Sequence, residues 1–362
     1  MLSHLIKEEY NLPTLFPHNH ASNLMVLENN DLLCAWFGGS REGKADISVM
    51  VSRFSQQEKE WSKPIVVSDD PTRSEQNPIL FRNPNGELWL IYTAQYAVHQ
   101  DSSVVRYSTS TDDGQTWSSI KSLFDTSGTF VRHPPIISES GEIILPAYYC
   151  LKSTDGFLNN DFSVVMISKD SGATWTEHKI EGSVGLVHLS IVPTEGQRLV
   201  GLFRSRKADA IYRTVSEDFG RSWSRPAPIH LPNNNASIQA VKLTSGRLAL
   251  VFNNINAAQS PPEENRPPWF DPSDMDKVGV SATKQSEAIW GVIRNPLSIA
   301  ISQDDGQTWG PVHSIVDSKE LEHKPEFSYP SIKQDHNGDI HVTFTYLRQY
   351  IKHVVLSEED LI

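Results

Sequence analysis

Only two cysteines, Cys34 and Cys150, occur in 362 residues, and both lie in apolar stretches. That count excludes a disulfide framework and predicts two buried thiols instead. Long apolar runs are absent too: nothing approaches the roughly 18 apolar residues of a membrane-spanning helix. The opening Met1-Leu-Ser-His-Leu-Ile-Lys-Glu-Glu lacks the apolar centre of a secretion signal, so a soluble, cytoplasmic protein is expected. Basic residues are outnumbered, 32 Lys and Arg against 44 Asp and Glu, and the resulting net charge of −12 argues against nucleic acid or anionic membrane as partners. No His-Glu-x-x-His, no Cys/His cluster and no Gly-rich phosphate loop appears, so no metal and no cofactor is expected.

What the chain does have is a repeat. Ser110-Thr-Asp112-Asp-Gly114-Gln-Thr116-Trp117 recurs as Ser168-Lys-Asp170-Ser-Gly172-Ala-Thr174-Trp175 and as Ser302-Gln-Asp304-Asp-Gly306-Gln-Thr308-Trp309. A fourth copy, Ser216-Glu-Asp218-Phe-Gly220-Arg-Ser222-Trp223, differs only by Ser for Thr. Each copy follows a short apolar run that reads as a strand. The Asp can bond its own backbone and the Gly supplies the positive φ of a reversal. The Thr is expected to open the return strand and the Trp to anchor it in the core. Trp117, Trp175 and Trp223 stand roughly fifty residues apart, the length of one four-stranded propeller blade. Trp61 marks a degenerate first copy.

Carried through the chain, this spacing predicts an all-β fold: a six-bladed β-propeller of four-stranded antiparallel blades, forming one domain over residues 1–362. Residues 1–10 supply a strand that closes the ring. A Pro-rich segment at about 253–291, containing Pro261-Pro262, Pro267-Pro268-Trp269 and Pro272, interrupts blade five as a loop insertion.

The four turns resemble the Asp boxes of the sialidase superfamily, which join the third and fourth strands of propeller blades. The resemblance covers nearly the whole chain. It implies a site in the central funnel, at the starts of the innermost strands and the loops after the second strands.

Reactive side chains collect there. Pro17-His18-Asn19-His20 precedes the first strand of blade one. Gly38-Gly39-Ser40-Arg41-Glu42-Gly43-Lys44-Ala45-Asp46 follows its second strand. Asn77 opens blade two, with an amide suited to sugar hydroxyls. Arg132 and His133 open blade three, with Tyr148 and Tyr149 nearby. His188, Arg204, Arg206 and Arg213 belong to blade four. Arg294 precedes the third strand of blade five, and Glu326 and Tyr329 open blade six.

The resemblance implies roles for some of these. Asp46 is the nearest match to the family's acid/base Asp. Arg204 and Arg294 match the second and third arginines of its carboxylate clamp, and Tyr329 its nucleophile. Two features depart from the pattern. The first clamp Arg, of an Arg-Ile-Pro motif, is missing where His18 and His20 stand. The Glu that polarises the Tyr is missing too, with His188 the nearest polar occupant. The segments His20-Ala-Ser22, Gly-Gly-Ser-Arg41-Glu-Gly and Glu326-Phe-Ser-Tyr329-Pro look more like the sialidase-related branch that includes rhamnosyl-glucuronate lyases.

Two arginines on neighbouring blades suit bidentate binding of a carboxylate, so the expected partner is an acidic oligosaccharide. The expected activity is cleavage of the glycosidic linkage of a terminal acidic sugar, with elimination at a uronate favoured over hydrolysis. His20, Tyr329, His188 and Asp46 are the candidate catalytic residues. Arg204, Arg294, Arg41, Asn77, Arg132, His133 and Glu326 are the candidates for substrate binding. An exo-α-sialidase with a modified clamp and a non-catalytic glycan-binding propeller are the alternatives.

Overall fold

A computed structural model describes residues 2–151, 160–267, 288–318 and 325–362. Short alternating runs form strands, and these assemble into six separate antiparallel sheets, one per blade. The innermost strands are His18–Val26, Ser74–Arg82, Leu186–Pro193, Gln239–Lys242 and Phe327–Gln334, with blade three's inner edge split into Thr129–Val131 and Ile136–Ile137. The split falls where Pro134 and Pro135 have no N–H to give to a ladder. The ring closes as expected: Ile6–Asn11 pairs antiparallel with Tyr350–Leu356 as the outer strand of blade six. No strand edge is left open at the joint.

Apolar faces meet between blades, so the core is six seams rather than one centre. Cys34, Trp36, Phe54 and Trp61 of blade one pack on Leu12 and Ile351. The Trp89 and Val164 faces join blades two and three, and the Phe252 and Leu202 faces join blades four and five. Each fully buried Leu or Phe contributes about 2–3 kcal/mol by leaving water. Cys34 and Cys150 are free and buried, and burial pushes the Cys34 thiol up to about 12.

The repeated turns hold themselves together. In the first, Ser110 Oγ donates to Asp112 Oδ1 at 2.7 Å and accepts the Gly114 N–H at 2.9 Å. Asp112 also accepts the Thr116 N–H at 2.9 Å and the Thr116 hydroxyl at 2.5 Å. The other three copies repeat these bonds. Two residues per turn take positive φ: Gly114 at 82° and Asp113 at 55°. The Thr does not open the return strand, as the pattern suggested. Both its polar groups close the turn, and the outer strand of blade two begins later, at Lys121.

The insertion leaves blade five between Leu248–Asn253 and Leu297–Ser302. Pro261, Pro262 and Pro267 lie in its described part, whereas Pro268, Trp269 and Pro272 lie outside the described residues.

Candidate active site

Four innermost strands carry the same irregularity. Register slips by one residue between His20 and Asn23, Gln76 and Ile79, Val187 and Ser190, and Ser328 and Ser331. Each slip contains one residue in the left-handed region: Ala21 (φ 59°), Asn77 (52°), His188 (53°) and Tyr329 (53°). Left-handed backbone costs a non-glycine residue about 1 kcal/mol or more, and strain of this kind collects at functional sites. A bulge re-aims the side chain it carries. Here three of the four side chains, Asn77, His188 and Tyr329, line one pocket at the inner rim.

Tyr329 lies at the centre of that pocket. Its hydroxyl receives a 2.7 Å hydrogen bond from Arg204 Nη1. The Arg204 and Arg294 guanidinium carbons stand 5.7 and 5.3 Å from its ring centroid. The His20 ring lies 4.2 Å away and the His188 ring 5.7 Å. Burial pushes the Tyr329 phenol up, but Arg204 and Arg294 outweigh it and the net direction is down. Arg204 is 1% exposed and is also anchored by Nε to Asn235 Oδ1 at 2.8 Å. Burial brings its guanidinium down to about 10.

Both imidazoles are neutral at physiological pH, because burial holds His20 and His188 well below the ordinary histidine value. His20 Nδ1 meets Thr345 Oγ1 at 2.8 Å, and its Nε2 has no partner. His188 Nε2 meets the Tyr148 hydroxyl at 3.0 Å. Burial raises that phenol, so Tyr148 keeps its proton.

A second layer sits beside Tyr329. Glu326 accepts from Arg294 Nη1 at 2.7 Å, Ser328 Oγ at 2.9 Å and Arg348 Nε at 2.9 Å. Burial pushes this carboxyl up, yet Arg348 and Arg294 prevail and hold it at about 2. Arg348 also pairs with Glu42 and reaches His18 Nε2 at 3.3 Å. Burial and Arg348 together bring His18 down to about 4. Glu326 is thus an ionised brace for two arginines rather than an acid.

Arg348 escaped the sequence reading. Leu347 and Arg348, at φ 51° and 56°, are the central pair of the three-residue turn between Ile340–Tyr346 and Tyr350–Leu356. Such a turn normally announces itself with Asn-Gly, and this one has neither residue. Trp290 was also missed. Its indole lies over Arg204 at 5.7 Å and over Arg206 at 4.9 Å and covers the pocket. The free volume left beneath is about 10 Å³, room for one water.

Other candidates fall elsewhere. Asp46 is exposed and closes its own loop, accepting from the Ser40 hydroxyl at 3.0 Å and the Ser40 N–H at 3.2 Å. The carboxylate of that loop that lines the pocket is Glu42. Arg41 lies near enough to His18 to disfavour its protonation. Arg206 is committed to the buried Asp161 at 2.8 Å. Arg213 bonds the Asp305 carbonyl at 3.0 Å, on the turn of the next blade. Arg132 is spent as an axle. Its Nε bonds Ser237 Oγ at 3.1 Å, and its other nitrogens reach the Ser22 and Tyr329 carbonyls at 3.2 Å. These bonds hold strands of four blades together rather than offering donors to a ligand. His133 points to a separate axial cavity. Among the described residues no three His, Cys, Asp or Glu side chains converge as a metal site.

A family model described as BNR repeat-like domain matches residues 30–342. Solved structures share the fold. A Dyadobacter fermentans protein of unknown function superposes with TM-score 0.72 at 13% identity, covering 97% of this chain and 98% of its own. The Streptococcus pneumoniae NanB sialidase gives TM-score 0.70 at 13% identity, over 100% of this chain and 72% of that one. A Hadza microbial sialidase gives TM-score 0.70 at 15% identity, covering 95% of this chain, which spans only 66% of that one. No curated protein matches the sequence.

Proposed function

Because this chain belongs to the BNR repeat-like domain family, we propose that its pocket binds an acidic sugar and cleaves the glycosidic linkage carried on that sugar's O4, by elimination at a uronate. The observation that carries this reading is the partner of the Tyr329 hydroxyl: a guanidinium, Arg204, and not a carboxylate. A tyrosine nucleophile for hydrolysis works best with a carboxylate base on its oxygen. A tyrosine lowered by two arginines is itself a base.

Arg204 and Arg294 take the uronate carboxylate, which makes the C5 proton acidic. The Tyr329 oxygen accepts that proton. Its electron pair forms the C4–C5 double bond as the C4–O bond breaks. The leaving oxygen takes a proton from the His188–Tyr148 pair, whose phenol is kept protonated by burial. Asn77 at the rim offers an amide to ring hydroxyls. Entry of a sugar requires Trp290 to shift off the two arginines it covers.

The test is an ultraviolet-monitored screen of acidic oligosaccharides, with sialyl-lactose beside them. Elimination leaves an unsaturated, absorbing product, and Tyr329→Phe abolishes it. Free sialic acid without that chromophore establishes the sialidase reading instead. Saturable binding without turnover of any substrate establishes a glycan-binding propeller.

A further inference from the structure

The innermost strands run past the pocket toward the opposite face, and a second cavity lies further along them. In blade four the pocket residue His188 comes first, and Ser190 to Pro193 line the cavity below. Its volume is about 110 Å³, and its wall includes His133, Pro134, Ser190, Gln239, Lys242 and Lys333. Arg132, laced to carbonyls of blades one and six, lies next to it in the chain.

The ionisable groups here are all basic. His133 is 2% exposed, and neither of its ring nitrogens completes a hydrogen bond, although the His188 backbone is near. A buried imidazole without a partner is costly unless something fills the space. Lys333, half-buried in the wall, makes no ion pair among the described residues. Burial alone lowers its ammonium, with no carboxylate to offset it. No Asp or Glu stands among the described lining residues. In a chain of net charge −12 this is a local reversal of sign.

We propose that this axial cavity is a second ligand site, separate from the Tyr329 pocket, that binds a small oxyanion between the Lys333 ammonium and the His133 imidazole. The volume suits an ion the size of phosphate or a short carboxylate. Pro134 and Pro135 contribute to the site by breaking the inner strand of blade three, which opens the wall beside His133. A bound oxyanion favours protonated imidazole, so binding draws His133 toward its charged form.

Inorganic phosphate titrated into the full chain at constant ionic strength is the direct test, read on the His133 ring protons by NMR. His133→Gln assigns the resonance. The expected result is a saturable downfield shift, weakened about tenfold or more in Lys333→Met and recovered in part in Lys333→Arg. Acetate run in parallel distinguishes a site for tetrahedral anions from one that also takes carboxylates. A shift that fails to saturate with either ion overturns the proposal, as does an unchanged midpoint in Lys333→Met. Should that variant not fold, the wild-type thermal midpoint decides. It rises with phosphate beyond the effect of sodium chloride at equal ionic strength if the site exists, and follows sodium chloride if it does not.

Discussion

The Asp-box turns and the Tyr329 pocket are both held by side-chain hydrogen bonds, but over very different reaches of chain. In the turns, Thr116 and Asp112 bond across four residues. In and around the pocket, Arg132 bonds carbonyls 110 and 197 residues away, Arg204 bonds Tyr329 across 125, and Arg348 bonds Glu42 across 306. A turn of the first kind can be read in any eight-residue window. A constellation of the second kind exists only once six blades have closed. Local pattern therefore announces the scaffold, and closure creates the site.

The largest expected effect breaks the site and spares the scaffold. Tyr329→Phe removes the phenol oxygen proposed as the base. Turnover falls about a thousandfold or more, while stability changes by only about 1 kcal/mol for the lost Arg204 bond. Steady-state rates and urea unfolding on the same preparation check both halves. Unchanged turnover in this variant sinks the catalytic assignment.

Next in size is a variant that couples the two regions. Arg132→Met leaves buried carbonyls of Ser22 and Tyr329 without their donor, at a cost of about 3–5 kcal/mol in all. Urea unfolding measures it. A loss under about 1 kcal/mol would show that the blades meet at the axis without this guanidinium.

These two sites also mark how far the sequence could be read. The blades, the closing strand and the repeated turns were all legible, because each is written in local alternation and in turn residues. Arg204, Arg294 and Tyr329 were legible as a set through family resemblance, and the fold brings them together. The bulges were not foreseen, since a one-residue slip changes the aim of Asn77, His188 and Tyr329 without any marker residue. Arg348 was invisible for a related reason: Leu347-Arg348 takes a turn that its side chains do not favour. Asp46 and Glu42 sit on one short loop, and only the fold decides which carboxylate turns inward.

Acid titration sharpens the comparison, because the two regions carry opposite slopes. The Thr174 hydroxyl and N–H hold Asp170 at about 2, below its ordinary 3.8. Its contribution is present above pH 3.8 and is lost as pH falls through about 2. Burial holds Asp161, beside Arg206, up at about 6 despite that guanidinium. Its contribution is complete below pH 3.8 and is lost as pH rises through about 6. Unfolding midpoints measured from pH 2 to 7 should therefore separate the variants. Asp170→Asn flattens the acid arm, and Asp161→Asn flattens the arm between about pH 4 and 6. Both variants flattening the same arm would contradict the assignment.

The smallest effect tests how self-contained a turn is. Blade four has Ser222 where the other copies have Thr. Its N–H and hydroxyl reach the Asp218 carboxylate at 2.8 and 2.6 Å. Thr174 makes the same two bonds to Asp170 at 2.8 and 2.5 Å. Adding the Thr methyl changes neither bond and lies at an exposed position, so Ser222→Thr should shift stability by less than about 0.5 kcal/mol. A larger change in either direction would mean that blade four's turn depends on neighbours its three counterparts lack. The local reading of the repeat would then fail where it looks safest.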